Sequence, residues 1–139
     1  MSFEEKSTWI YAAITVGVSA VYFAVVLRQV RNTDVTEIAY VGPMLTAIGV
    51  AVALNILAII VAGIASPKEA GKKDERDKNI TRYGQYVGYP VLGVGVVGAL
   101  VLTMAEFEHF WIANAIYLAF VVSSITESAV KIVAYRRGL

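Results

Sequence analysis

The chain has 139 residues, 58% of them hydrophobic and 17% charged, with a formal net charge of +1. Its charges gather in short clusters between long apolar runs, whereas a soluble helical domain of this size would interleave them along amphipathic faces. The near-neutral balance offers no footprint for nucleic acid, and the lack of cysteine excludes disulfides, thiolate nucleophiles and thiolate metal sites.

A window of about 19 residues, the length a helix needs to cross a hydrocarbon core of ~30 Å, finds four spans. They cover residues 9–27, 40–65, 86–105 and 112–134. In lipid each backbone donor and acceptor must be satisfied within the segment, so such runs are helices. The expected fold is all-α, an integral membrane four-helix transmembrane bundle forming a single domain over residues 1–139.

Ahead of the first span, MSFEEKSTW has two glutamates before its lysine and lacks the basic start and small-residue cleavage pattern of a secretory signal. The first span is therefore expected to be retained. The connector RQVRNTDVTEI balances Arg28 and Arg31 against Asp34 and Glu37. Asp34 followed three residues later by Glu37 has the spacing of a capping box, which predicts a second helix starting there and bending at Gly42 and Pro43. Asn55 stands near the middle of that helix.

The connector of residues 66–85, SPKEAGKKDERDKNITRYGQ, is the one long polar segment. Ser66, Pro67 and Glu69 read as a helix start, and KKDERDKNITRYG as a short helix leading into the third span. It serves as a solvated topology signal or as a docking element for a partner. With alternating spans, Lys6, Lys68, Lys72, Lys73, Arg76, Lys78, Arg82, Arg136 and Arg137 share one side, against Arg28 and Arg31 on the other. The positive-inside rule then places both termini in the cytoplasm.

The third span carries Gly84, Gly88, Gly93, Gly95 and Gly98 at or near its start and along its length. Gly84 and Gly88 have GxxxG spacing, and small residues so placed let two helix backbones approach closely. Gly84, Gly88, Gly95 and Gly98 are candidate packing positions, either against the other helices of the chain or in a seam with a second molecule. The following turn, AEFEHFW, holds Glu106, Glu108 and the sole histidine, His109. These neighbours do not converge on one helix face, so an exposed turn is expected and no metal site.

The stretch ITESAVK near the end of the fourth span presents Glu127 and Lys131. Counting inward from Tyr135 at ~1.5 Å per residue puts Glu127 about 12 Å inside the interface. Lys131 follows on the same face in the favourable glutamate-first order, and Ser123, Ser124, Thr126 and Ser128 surround the carboxylate with hydroxyls. Asn55 of the second helix is placed to meet this polar end. Asn114, rotated by ~220° along the helix, does not extend the stripe. An ionisable residue inside a membrane reads either as a proton- or cation-linked site or as an internal ion pair that fixes helix register. No Ser-His-Asp set or phosphate-binding loop is present, which argues against an enzyme.

The segments KKDERD, HFWIANAIYLAF and KIVAYRRG resemble an uncharacterised family of small bacterial multi-spanning membrane proteins, a domain of unknown function, over the second half of the chain from Lys72 to Gly138. The resemblance implies a bacterial inner (plasma) membrane protein and brings no activity or site residues. Small multidrug-resistance exporters are similar in size and span number, but carry their essential glutamate in the first helix, where this chain has no acid within the span.

The leading expectation is a small non-enzymatic membrane protein without cofactor. It acts in the bilayer through helix association, as a homo-oligomer or an accessory or regulatory subunit, using the third-helix glycines and the polar end of the fourth. The alternative is a small homo-oligomeric transporter or channel in which Glu127 binds a proton or cation.

Overall fold

Ser2 begins the first helix. Its hydroxyl accepts from the Glu5 N–H at 3.1 Å, and Glu4 and Glu5 add negative charge to the first turn, where the helix dipole favours it. In the computed structural model, which describes residues 1–138, α1 runs over Phe3–Gln29, α2 over Val41–Ala65, α3 over Glu75–Met104 and α4 over His109–Arg137. All four are long and apolar enough to cross a bilayer. The protein is a multi-pass membrane protein built as an all-α bundle of four such helices.

The start of α2 differs from the capping-box expectation. Asp34 accepts from the backbone N–H of Thr36 at 3.0 Å and from its hydroxyl at 2.9 Å, and these bonds hold its carboxyl below the usual range. Asp34 thus closes a turn in the connector, and α2 begins seven residues beyond it, at Val41 behind Tyr40, with no side-chain cap. Pro43 explains the delay. At the third helical position it has no intrahelical N–H partner to lose, whereas a helix begun at Asp34 would carry the proline in its interior. Pro43 therefore belongs to the first turn and not to a bend.

Ser66 accepts from the N–H groups of Glu69 and Ala70, so Ser66, Pro67 and Glu69 form a turn that Gly71, at φ 74°, leaves. The new helix starts instead at a complete capping box. Asp74 Oδ1 accepts from the Asp77 N–H at 2.8 Å, and Asp77 Oδ2 accepts from the Asp74 N–H at 3.3 Å. From there α3 continues unbroken through residues 75–85, which the sequence places in the connector, and past Pro90. Its 30 residues extend ~45 Å against a hydrocarbon core of ~30 Å, so its charged first turns project beyond the bilayer.

α3 ends in a Schellman turn: the N–H of Phe107 reaches Leu102 O at 3.0 Å and that of Glu106 reaches Thr103 O at 3.1 Å. Glu106 occupies the left-handed position, φ 58°, that glycine usually takes.

The helices pack in series, α3 on α4, α4 on α1, and α1 on α2, with the α3–α4 contact the most extensive. The main core lies at the end away from the termini, where Tyr22, Val26, Ile38, Ala47 and Phe110 are buried. At the other end Ile80, Ala134 and Tyr135 form a second cluster. Around it Glu4 meets Lys73 at 3.6 Å and Glu5 meets Arg136 at 3.4 Å. These pairs gather the start of α1, the α2–α3 connector and the end of α4 at one end of the bundle.

Candidate functional site

The glycines of α3 are where α4 comes closest. A Cβ at Gly84 would lie 2.9 Å from Lys131 Cγ and 3.2 Å from Glu127 Cγ, and one at Gly88 would lie 3.2 Å from Glu127 Cβ and 3.3 Å from Ser123 O. A Cβ at Gly95 would overlap Ala119 Cβ. The absence of side chains at these three positions lets α4 lie on the α3 backbone. Gly98 is different, because open space surrounds the place its Cβ would take. From the mean direction of the other three it is turned by about 60°, while Ala99 is turned about 40° the other way. Ala99, 3% exposed, extends the buried stripe in its place.

This packing bears on the expectation that the third-helix glycines and the polar end of the fourth helix form a surface for a second molecule. The two features cover each other within one chain. Glu127 and Lys131 pair at 2.8 Å, with the stem of Glu127 laid against Gly84 and Gly88. Ser123 donates to Gly88 O at 2.9 Å, binding the two helices where their backbones are closest.

Ser124 and Ser128 border a cleft on the α1 side of α4, while Thr126 donates to Val122 O in its own helix at 2.8 Å. Ser124 Oγ accepts from the Tyr11 hydroxyl of α1 at 3.2 Å. Asn55 lies across from it on α2, and its Nδ2 donates to Ala51 O in its own helix at 2.9 Å. Instead of bonding to α4, Asn55 lines a cleft between α2 and α4 that α1 closes from behind. The cleft has a part of about 300 Å³ bordered by Glu4, Ser128 and Lys131, and a deeper part of about 320 Å³ bordered by Thr15, Tyr117 and Ser124. Tyr11, Asn55 and Ile59 line both.

Two side-chain bonds with no counterpart in the sequence reading join helices at the ends of α4. Tyr22 donates to Asn114 Oδ1 at 2.6 Å, and Asn114 Nδ2 donates to Phe110 O at 2.8 Å. Nearer the termini, the Tyr135 hydroxyl donates to Asp77 Oδ1 at 2.8 Å, and Arg76 reaches Tyr135 O at 3.3 Å and lies over its ring at 5.7 Å. Asn114 is the lone amide among apolar neighbours in α4, a signal legible in sequence only when matched to a hydroxyl on another helix. Glu106, Glu108 and His109 are exposed in the tight turn, and no group of three potential metal ligands converges among the described residues.

No protein-family model, curated protein or solved structure matches this chain.

Proposed function

We propose that this is a small non-enzymatic membrane protein that acts by helix association, as a homo-oligomer or an accessory subunit, through α2. The observation that carries the reading is the exposure of α2. Of its 25 residues only Ala47 is buried, and its substantial packing is against α1 alone. Leu45, Gly49, Ala53, Leu57 and Val61 recur at four-residue intervals on a face that borders neither the cleft nor the groove against α1. Gly49 and Ala53 would allow a close approach on that face, where van der Waals packing drives association in lipid. The surface thus moves from α3 to α2, because the α3 glycines are occupied by α4. The bacterial inner-membrane setting implied by the resemblance, with cytoplasmic termini by the positive-inside rule, belongs to the same reading.

The chain contains no cysteine, so single cysteines report contacts without background. Leu45→Cys or Leu57→Cys should cross-link in native membranes to a second copy or to one co-purifying chain, and Val94→Cys on the exposed face of α3 should not. Monomeric, uncross-linked protein for every α2 position would overturn the reading.

The cleft favours a second reading, a small carrier or channel. Its ligand groups would be those of α1, α2 and α4 around Asn55, since Glu127 already has Lys131 as counter-ion. A carrier of that kind should keep its flux in Glu127→Gln whenever the variant is folded; loss of flux in a folded Glu127→Gln would return the site to the carboxylate.

A further inference from the structure

The polar groups of the α2–α4 cleft are set at depths where lipid tails cannot satisfy them. Asn55 is ten residues from the end of α2 at Ala65, about 15 Å along the helix and so close to the bilayer midplane. Its Nδ2 is held by Ala51 O, which directs Oδ1 away from that bond. The Tyr11–Ser124 pair and Thr15 share the same part of the cleft. Nearer the termini, Ser7 Oγ is buried without a hydrogen-bond partner among the described residues and belongs to a residue that borders the cleft. Glu4 and Lys131 border it too. Intramembrane polar groups face a bundle interior or water, and a cavity holds water when it is both roomy and lined by several polar partners.

The opposite end of the cleft meets a layer of aromatic rings. Tyr117 borders its deeper part and packs against Tyr22 at 4.8 Å and Phe23 at 5.5 Å between ring centres. Behind that aromatic layer lies the main core, in which Val26 is fully buried and Phe110 is 2% exposed.

From these observations we infer that the cleft is a one-sided aqueous vestibule, open at the terminus-bearing end and closed at its inner end by Tyr117, and that its inner end binds small uncharged hydrogen-bonding solutes. The chemical class follows from the groups present. Asn55, Tyr11, Ser124 and Thr15 are neutral donors and acceptors set among apolar side chains such as Val52, Ile56 and Phe120, and the charged residues that border the cleft, Glu4 and Lys131, are paired with Lys73 and Glu127, so no unbalanced charge awaits an ion. The inference is independent of association through α2, which uses a different face of that helix.

Asn55→Cys, Ile59→Cys and Val94→Cys are purified and reconstituted in liposomes. Each is treated with membrane-impermeant methanethiosulfonate reagents from one side at a time, on samples whose elution profile matches the cysteine-free parent. Val94 is 75% exposed on α3, borders neither part of the cleft and lies off the α2 association face; ten residues from the end of α3 at Met104, about 15 Å along the helix, it reports lipid near the midplane. Asn55→Cys and Ile59→Cys should be modified from the terminus-bearing side only, and Val94→Cys from neither. If both cleft cysteines resist as Val94→Cys does, acyl chains fill the cleft and the vestibule is wrong; modification from the opposite side overturns the inner closure. Cationic and anionic reagents of equal size, normalised to their rates with a free thiol, should react alike at Asn55→Cys. A preference beyond about tenfold for either sign would reveal a focused field and overturn the uncharged-solute assignment.

Discussion

Tyr22 of α1 donates its hydroxyl hydrogen to Asn114 Oδ1 of α4 across 2.6 Å, and both residues are buried. The bond joins two helices 92 positions apart in sequence, beside a layer in which Tyr22 also meets Phe23 and Tyr117 edge-on. Tyr22→Phe keeps the ring packing and leaves the Asn114 oxygen without its donor. It should cost about 1–2 kcal/mol of stability, since a buried acceptor loses its partner where water cannot replace it. Tyr22→Phe combined with Asn114→Leu should recover part of that loss, as measured by unfolding in mixed micelles. Additive losses in the double variant would mean that the bond is not what couples the two sites.

Within α3, one substitution should have opposite effects three residues apart. Gly95→Ala places a methyl group on Ala119 and should cost about 1–3 kcal/mol through forced separation of α3 and α4. Gly98→Ala meets open space and should be neutral or stabilising by up to about 1 kcal/mol, because alanine suits a helix better than glycine. Thermal unfolding of the two variants in one detergent is sufficient; equal destabilisation would contradict the α3–α4 register.

The Glu127–Lys131 pair is one-quarter exposed or less on each side chain. Glu127→Gln should destabilise by about 1 kcal/mol, and Lys131→Met should make the same change nearly harmless, because the lysine is then no longer left without a counter-ion. Gly88→Leu, whose side chain would meet the Ser123 carbonyl, should unfold or loosen α3 from α4 within one chain. If instead it leaves the monomer folded and abolishes only an oligomer, the seam is intermolecular.

Glu106 holds the left-handed position of the α3 Schellman turn with an exposed side chain. Glycine there removes the steric penalty of a Cβ, so Glu106→Gly should stabilise by about 0.5–1 kcal/mol. A lowered melting temperature would show that the carboxylate has a role in the turn beyond its backbone shape.

The expected site was legible in part. Glu127, Lys131 and the serines stand out in sequence as polar residues in an apolar run, and one-dimensional periodicity placed the carboxylate and the amine on one face. Periodicity along α4 also set Asn114 apart from that stripe. What it could not supply was Tyr22, whose ring is an ordinary interface aromatic until a second helix brings an amide within hydrogen-bond distance. Asn55 was likewise matched to α4 by depth, but its amide turns back to Ala51, a choice made by local geometry within one helical turn.

By itself the sequence determined that this protein is four membrane-length helices. Lipid supplies no backbone partners, so an apolar run of sufficient length has only one way to satisfy its peptide groups. The sequence also carries local capping chemistry at Ser2, the Asp74–Asp77 box and Gly138, whereas the starts expected at Asp34 and Ser66 are turns and α2 and α4 begin without a side-chain cap. Only the tertiary structure decided which helix the α3 glycines would meet, and that α2 would be left nearly bare with a polar cleft beside it. In lipid all apolar faces are nearly equivalent, so helix pairing is chosen by the fit of small residues and a few cross-helix hydrogen bonds. That fit exists only when two distant segments are placed side by side.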